Sequence, residues 1–164
     1  MRLKILSLFA ALLLVSACGT SADESATAAG EGGLGAGAGV AGSTASPGTV
    51  EDFRVNVGDR VFFGFDRFEL DAEARATLDR QAQWLQQYPN LSVVVEGHAD
   101  ERGTREYNLA LGERRANAVK NYLVAQGVNP GRITTVSYGK ERPAVPGSSE
   151  QAWAQNRRGV TVLN

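Results

Sequence analysis

The chain has 164 residues, a formal net charge of −1, one histidine and one cysteine, with 43% apolar and 21% charged residues. That length suits one compact domain with appendages, and the near-neutral balance argues against nucleic acid or an anionic membrane surface as the main partner. A single cysteine excludes an internal disulfide.

Arg2 and Lys4 precede an apolar run from Ile5 to Val15, followed by Ser16-Ala17-Cys18. A basic start, a short apolar core and small residues at the end predict an export signal over residues 1–17. The run falls short of the roughly 20 residues that a membrane span needs. Residues 18–50 are dominated by Gly, Ala, Ser and Thr, which bury too little surface to offset their ordering entropy. They predict a flexible linker, averaging roughly 30 Å end to end and reaching about 100 Å when stretched. The glycines from Gly30 to Gly42 follow no strand and open no amphipathic helix, so a phosphate-binding loop is not expected there.

The folded domain is expected over residues 51–164, where acidic and basic residues balance. An apolar strand runs from Val61 to Phe65 and ends in Asp66. Asp71 caps a helix through Tyr88, with Pro89 closing it. Leu91 to Glu96 is a second strand; three consecutive valines, Val93 to Val95, suit a strand covered on both faces. Thr104 caps a long helix to Gln126, closed by Gly127. Ile133 to Tyr138 and Gly159 to Leu163 read as strands, joined by a short helix over Ser148 to Asn156. This order predicts an α/β (α+β) sandwich: a mixed four-stranded sheet with helices packed on one face.

The chemistry concentrates between the second strand and the long helix. Glu96, His98, Asp100, Glu101 and Arg102 follow the valines, between Gly97 and Gly103. A strand end, a charged loop and a helix N-terminus make a polar binding site. Leu111, Arg115, Val119 and Tyr122 share one helix face with Ala118 and Leu123, which sets Arg115 inside an apolar stripe where an unpaired guanidinium is costly. Asp100, in the loop before the helix, is the carboxylate expected to partner it. The pair is either a structural salt bridge, which spacing alone favours, or a bipolar clamp for a zwitterionic ligand. Near Asp66 the sequence also offers Phe62, Phe63, Phe65 and Phe68, where a rim aromatic could stack on a ligand, and one of Arg157 and Arg158 could point to the same place. His98 with Glu96 and Asp100 lacks the separated ligand pairs of a zinc site, so a histidine bonded to a carboxylate is expected. No nucleophile has an evident base, so no enzyme, cofactor or metal is expected.

The segments Gly97-His98-Ala99-Asp100-Glu101-Arg102-Gly103-Thr104, Glu106-Tyr107-Asn108, Leu111-Gly112-Glu113-Arg114-Arg115-Ala116, Val136 to Ala144 and Asn156-Arg157-Arg158 resemble the OmpA-like C-terminal domain family, in its lipidated, peptidoglycan-associated (Pal) branch. Val15-Ser16-Ala17-Cys18 resembles a bacterial lipobox. The resemblance implies triacylation of Cys18, with Gly19 after it directing the protein to the outer membrane and leaving the domain in the periplasm. It implies non-covalent binding of peptidoglycan through meso-diaminopimelate, with Asp100 on the ammonium and Arg115 on a carboxylate, helped by backbone N–H groups near Thr104. The full set of ligand-binding residues expected is Asp100, Arg115, Thr104, Asn108, Phe62, Asp66 and Arg157. Membership of the Tol–Pal envelope system and of cell division, with TolB as partner, is implied as well. The alternative is a periplasmic protein-interaction module whose main ligand is TolB or another envelope protein, for which the exposed loop Tyr138 to Pro143 is the candidate contact. One departure is Gly112, where many members carry serine; it is expected to loosen one helix position.

Overall fold

The computed structural model describes residues 45–164. The expected export signal, Cys18 and most of the expected linker over 18–50 lie outside the described residues. The last linker positions already take part in the fold, because Gly48 N donates to Asp52 Oδ2 (2.9 Å) and Thr49 caps a short helix, α1 (Val50–Asp52). This helix continues as a π-helical turn, Phe53–Val57. No periodicity announces the segment. Tertiary contacts hold it: Phe53 is buried against the Trp84 ring at 4.9 Å, and the Trp84 indole N–H donates to Asp52 (2.9 Å).

The chain then runs through β1 (Arg60–Phe62), α2 (Ala72–Gln87), β2 (Val93–His98), α3 (Arg105–Ala125), β3 (Ile133–Gly139), α4 (Glu150–Asn156) and β4 (Arg158–Leu163). The sheet order is β1-β4-β2-β3, with β2 and β3 parallel and β4 antiparallel to both β1 and β2. This is the mixed four-stranded α+β architecture that the element order predicts. Each main helix starts on a side-chain cap that satisfies an otherwise orphaned N–H: Asp71 accepts from Ala74 N (2.8 Å), Thr104 from Tyr107 N (3.2 Å) and Ser149 from Ala152 N (3.3 Å). The C-terminal end of α2 is closed from a distance. Arg132 donates to Leu85 O (3.0 Å), Tyr88 O (2.8 Å) and Leu91 O (2.7 Å), placing a cation on the negative end of the helix.

The core lies between the sheet and helices α2 and α3, around Val61, Leu78, Leu85, Val93, Val95, Val119 and Leu123. Four local expectations need correction. Val93 and Val95 are buried but Val94 is only half-buried, because it faces away from the helices beside Val162, which is 38% exposed. The strand is therefore covered fully on one face and not on both. On α3 the buried face is Leu111, Gly112, Arg115, Ala116, Val119 and Leu123, while Ala118 and Tyr122 sit at its margin. The helix turns its small residues inward because it lies almost on the β2 backbone: a Cβ built on Gly97 would stand 1.8 Å from Gly112 O. Gly112 is thus a close-approach residue and does not loosen the helix. The first strand stops at Phe62, short of the expected Phe65, because two arginines capture the carbonyls that follow: Phe63 O accepts from Arg157 Nε (3.1 Å) and Gly64 O from Arg115 Nη2 (3.1 Å).

Candidate functional site

The pairing between β2 and β3 slips between Gly97 and His98, so the chain leaves the sheet there, and Ala99 N is caught by Gly139 O (2.8 Å). The loop that follows is closed from several sides. Asp100 accepts from Arg102 N (3.1 Å), Asn108 Nδ2 donates to Arg102 O (2.8 Å), and Lys140 Nζ reaches Glu101 O (3.2 Å) and Gly103 O (2.7 Å). Gly103 has φ +93°, a left-handed conformation that glycine adopts without strain. Facing this loop is the turn after β1, where Asp66 also takes a left-handed conformation (φ 54°) and accepts a hydrogen bond from the Tyr107 hydroxyl. Aspartate tolerates that region better than most residues, yet it carries strain of the kind that clusters at binding sites.

Between the two segments lies an open cleft of about 180 Å³, lined by Phe65, Asp66, Asp100, Arg102, Asn108 and Arg115 among others. Its floor is Arg115, which is fully buried. Arg115 Nε donates to Arg67 O (2.8 Å), Nη1 to His98 O (2.7 Å) and Nη2 to Gly64 O (3.1 Å). These bonds tie α3 to both walls of the cleft. Asp100 attracts the guanidinium, but no carboxylate comes within ion-pair distance of it among the described residues. Burial brings its pKa down to about 10, partly offset by Asp100, so it remains a cation at neutral pH. The Asp100–Arg115 salt bridge that spacing favoured is therefore not formed: backbone carbonyls hold Arg115, and among the described residues no carboxylate pairs with it directly.

Asp100 is buried too, at 4% exposure. It forms a two-bond pair with Arg102, through Nε to Oδ1 (3.1 Å) and Nη2 to Oδ2 (2.7 Å), while Arg157 Nη1 lies 3.4 Å from Oδ2. Burial opposes its ionisation, but the hydrogen bonds from Arg102, its charge and Arg157 outweigh that and hold the carboxyl below the ordinary range. Arg102 itself is packed between two rings, 4.1 Å from the Phe65 centroid and 4.0 Å from that of Trp153.

The expected residues divide by position. Asp100, Arg115, Asn108 and Asp66 line the cleft together. Thr104 supports it as the cap of α3, and Arg157 stands behind Asp100, pinned by Phe63 O and by Glu150 Oε1 (2.7 Å). Phe62 does not reach it. Its side chain leaves β1 on the other side, in a small depression with Asp71 and Glu73, and the rim aromatic is Phe65. The expected ligand set also left out Tyr107 and Arg102, although Arg102 belongs to the charged loop expected to form a binding site. Arg102 had a local signal, two residues from Asp100; its contact with Trp153, more than fifty positions away in the chain, had none. His98 is buried with Nε2 3.4 Å from Glu96 Oε2, and among the described residues no three His, Cys, Asp or Glu side chains gather as metal ligands.

Residues 62–157 match the OmpA family. The peptidoglycan-associated lipoprotein of Rhizobium meliloti (strain 1021) is 60% identical over 131 residues, covering 80% of this chain and 72% of that protein. That of Brucella melitensis biotype 1 is 57% identical over 136 residues, covering 83% and 77%. Among solved structures, the peptidoglycan-associated lipoprotein from Burkholderia pseudomallei superposes with a TM-score of 0.63 at 42% identity, over 65% of this chain and 90% of that one. The C-terminal domain of Helicobacter pylori MotB shares the fold, with a TM-score of 0.61 at 24% identity, over 65% of this chain and 84% of that one. The matched stretch runs from the end of β1 through the cleft to Arg157, and on that basis the chain belongs to the OmpA family, among its peptidoglycan-associated lipoproteins.

Proposed function

We propose that this protein tethers the outer membrane to peptidoglycan. Cys18 carries the lipid, the linker from there to about residue 47 spans the gap, and the domain, which starts at Gly48, binds the meso-diaminopimelate end of a peptidoglycan stem peptide in the cleft, from the periplasmic side. The chain is a binding protein and not an enzyme, as its family is. The observation that carries the ligand assignment is Arg115. A buried cation with no ion-pair partner among the described residues, beside a buried carboxylate, suits a zwitterion: carboxylate to Arg115, ammonium to Asp100. The curated relatives, named for their association with peptidoglycan, support the same reading.

Cosedimentation of the purified full chain with isolated peptidoglycan tests it. Asp100→Asn, checked for an intact fold by circular dichroism, is expected to lose most pelleting. Pelleting equal to the native chain would reject the cleft as the wall site.

We place the protein in the Tol–Pal system, with TolB as partner and a part in cell division. The loop after β3 supports a second contact beside the cleft, because Lys140 anchors it to the Asp100 loop and Arg142 packs 3.7 Å over the Tyr138 ring. A partner seated there would share a border with the wall ligand. Competition between TolB and a stem peptide for the chain measures that overlap.

A further inference from the structure

Three arginines surround the cleft carboxylate, and they are not equally fixed. Arg115 is held by three carbonyls, and Arg157 is buried between Phe63 O, Asp100 and Glu150. The Arg102 side chain is 31% exposed, and it rests on one carboxylate and two ring faces. Its bonds nevertheless occupy both Asp100 oxygens, so an incoming cation finds that carboxylate already paired. A second acceptor stands ready, since the exposed Glu150 carboxylate lies 3.9 Å from Arg102 Nη1.

We propose that Arg102 holds the cation seat at Asp100 in the free protein and that a ligand ammonium enters by displacing it toward Glu150, so that Arg102 selects which ligands the cleft accepts. This rests on the reading of the cleft as a diaminopimelate site. A ligand end without an ammonium has no means of replacing Arg102 and leaves the seat closed. One with an ammonium and a carboxylate takes Asp100 and Arg115 together. The departing guanidinium uncovers the inner faces of Phe65 and Trp153 for the aliphatic part of the ligand. Trp153 stays in place meanwhile, its indole N–H donating to Glu101 (3.0 Å). Arg102 is on this account a specificity-determining residue acting through competition, whereas a merely structural Arg102 would stay paired to Asp100 in both states.

Titration of the purified full chain with a meso-diaminopimelate tripeptide separates the two, read by calorimetry and by tryptophan emission. Withdrawal of a cation from the Trp153 face gives a saturable change in emission in the native chain, absent with the analogue lacking the terminal amine and absent in Trp153→Phe. Arg102→Ala is expected to bind about tenfold tighter, because the ligand no longer breaks a charge-assisted pair to enter. Unchanged or weaker binding by Arg102→Ala, or an emission signal in the native chain that ignores the tripeptide, overturns the proposal. The emission measurement needs no variant fold. Asp100→Asn distinguishes the layers: if it binds the tripeptide like the native chain, the diaminopimelate reading itself fails. If it loses binding while Arg102→Ala gains none, only the displacement fails.

Discussion

Replacing Arg115 with methionine, which keeps length and removes charge, isolates what the buried cation contributes to the fold. The three bonds differ in value. The bond to His98 O is buried, so its carbonyl stays dry after the substitution and loses about 2–3 kcal/mol. The carbonyls of Arg67 and Gly64 are only partly buried beside the cleft, where water replaces the donor, and each loses about 0.5–1 kcal/mol. Methionine returns about 1 kcal/mol by sparing the desolvation of a guanidinium whose pKa burial has brought down to about 10. The net cost is about 2–4 kcal/mol, a large part of the stability of a typical domain. In urea unfolding this lowers the midpoint by roughly 1–2 M at an unchanged slope. Arg115→Lys keeps a point charge without the fork and falls in between. A midpoint shift below roughly 0.3 M for Arg115→Met would refute the assignment of those carbonyl bonds as the joint between α3 and the cleft walls.

Three other outcomes follow from specific contacts. His98, the single histidine, titrates at about 4 because burial, then Arg158 and Arg142, disfavour its cation. With the folded pKa below the ordinary 6.5, the unfolded chain binds the extra proton between pH 6.5 and about 4. Stability should therefore fall as pH drops through that window. His98→Gln should flatten the slope there, and an imidazole NMR titration with a midpoint above 6 would contradict the burial argument. Gly112→Ser puts a Cβ 2.3 Å from Ser137 Oγ and 2.8 Å from Gly97 O, and should cost about 1–3 kcal/mol, part of it restored by a second change, Ser137→Ala. Thermal unfolding of the single and double variants decides this, and an equal loss in both would mean that the Gly97 backbone sets the cost. Phe65→Ala should weaken tripeptide binding severalfold in calorimetry while Phe62→Ala leaves it unchanged; the reverse order would move the rim of the site to the other side of β1.

The sequence by itself determined the main elements and most of the candidate site's inventory. Its signals are local: Asp71 and Thr104 cap helices that begin where they stand, and the β-branched run at Ile133 favours a strand. Asp100 and Arg115 were legible for a related reason, since a charge inside an apolar stripe is anomalous before any fold is known. Tertiary structure alone decided what those charges do. Whether Arg115 meets a carboxylate or three carbonyls depends on the turn at Gly64 to Arg67, about fifty residues away in sequence and brought in by a first strand that stops at Phe62. The same holds for Arg102, which pairs with Asp100 while stacked on Phe65 and Trp153 from two other segments. Spacing constrains neighbours on one helix or strand, but long-range pairing depends on where the backbone turns. Here that hinges on the near-contact of Gly97 with Gly112, which seats α3 against the sheet and Arg115 under the cleft.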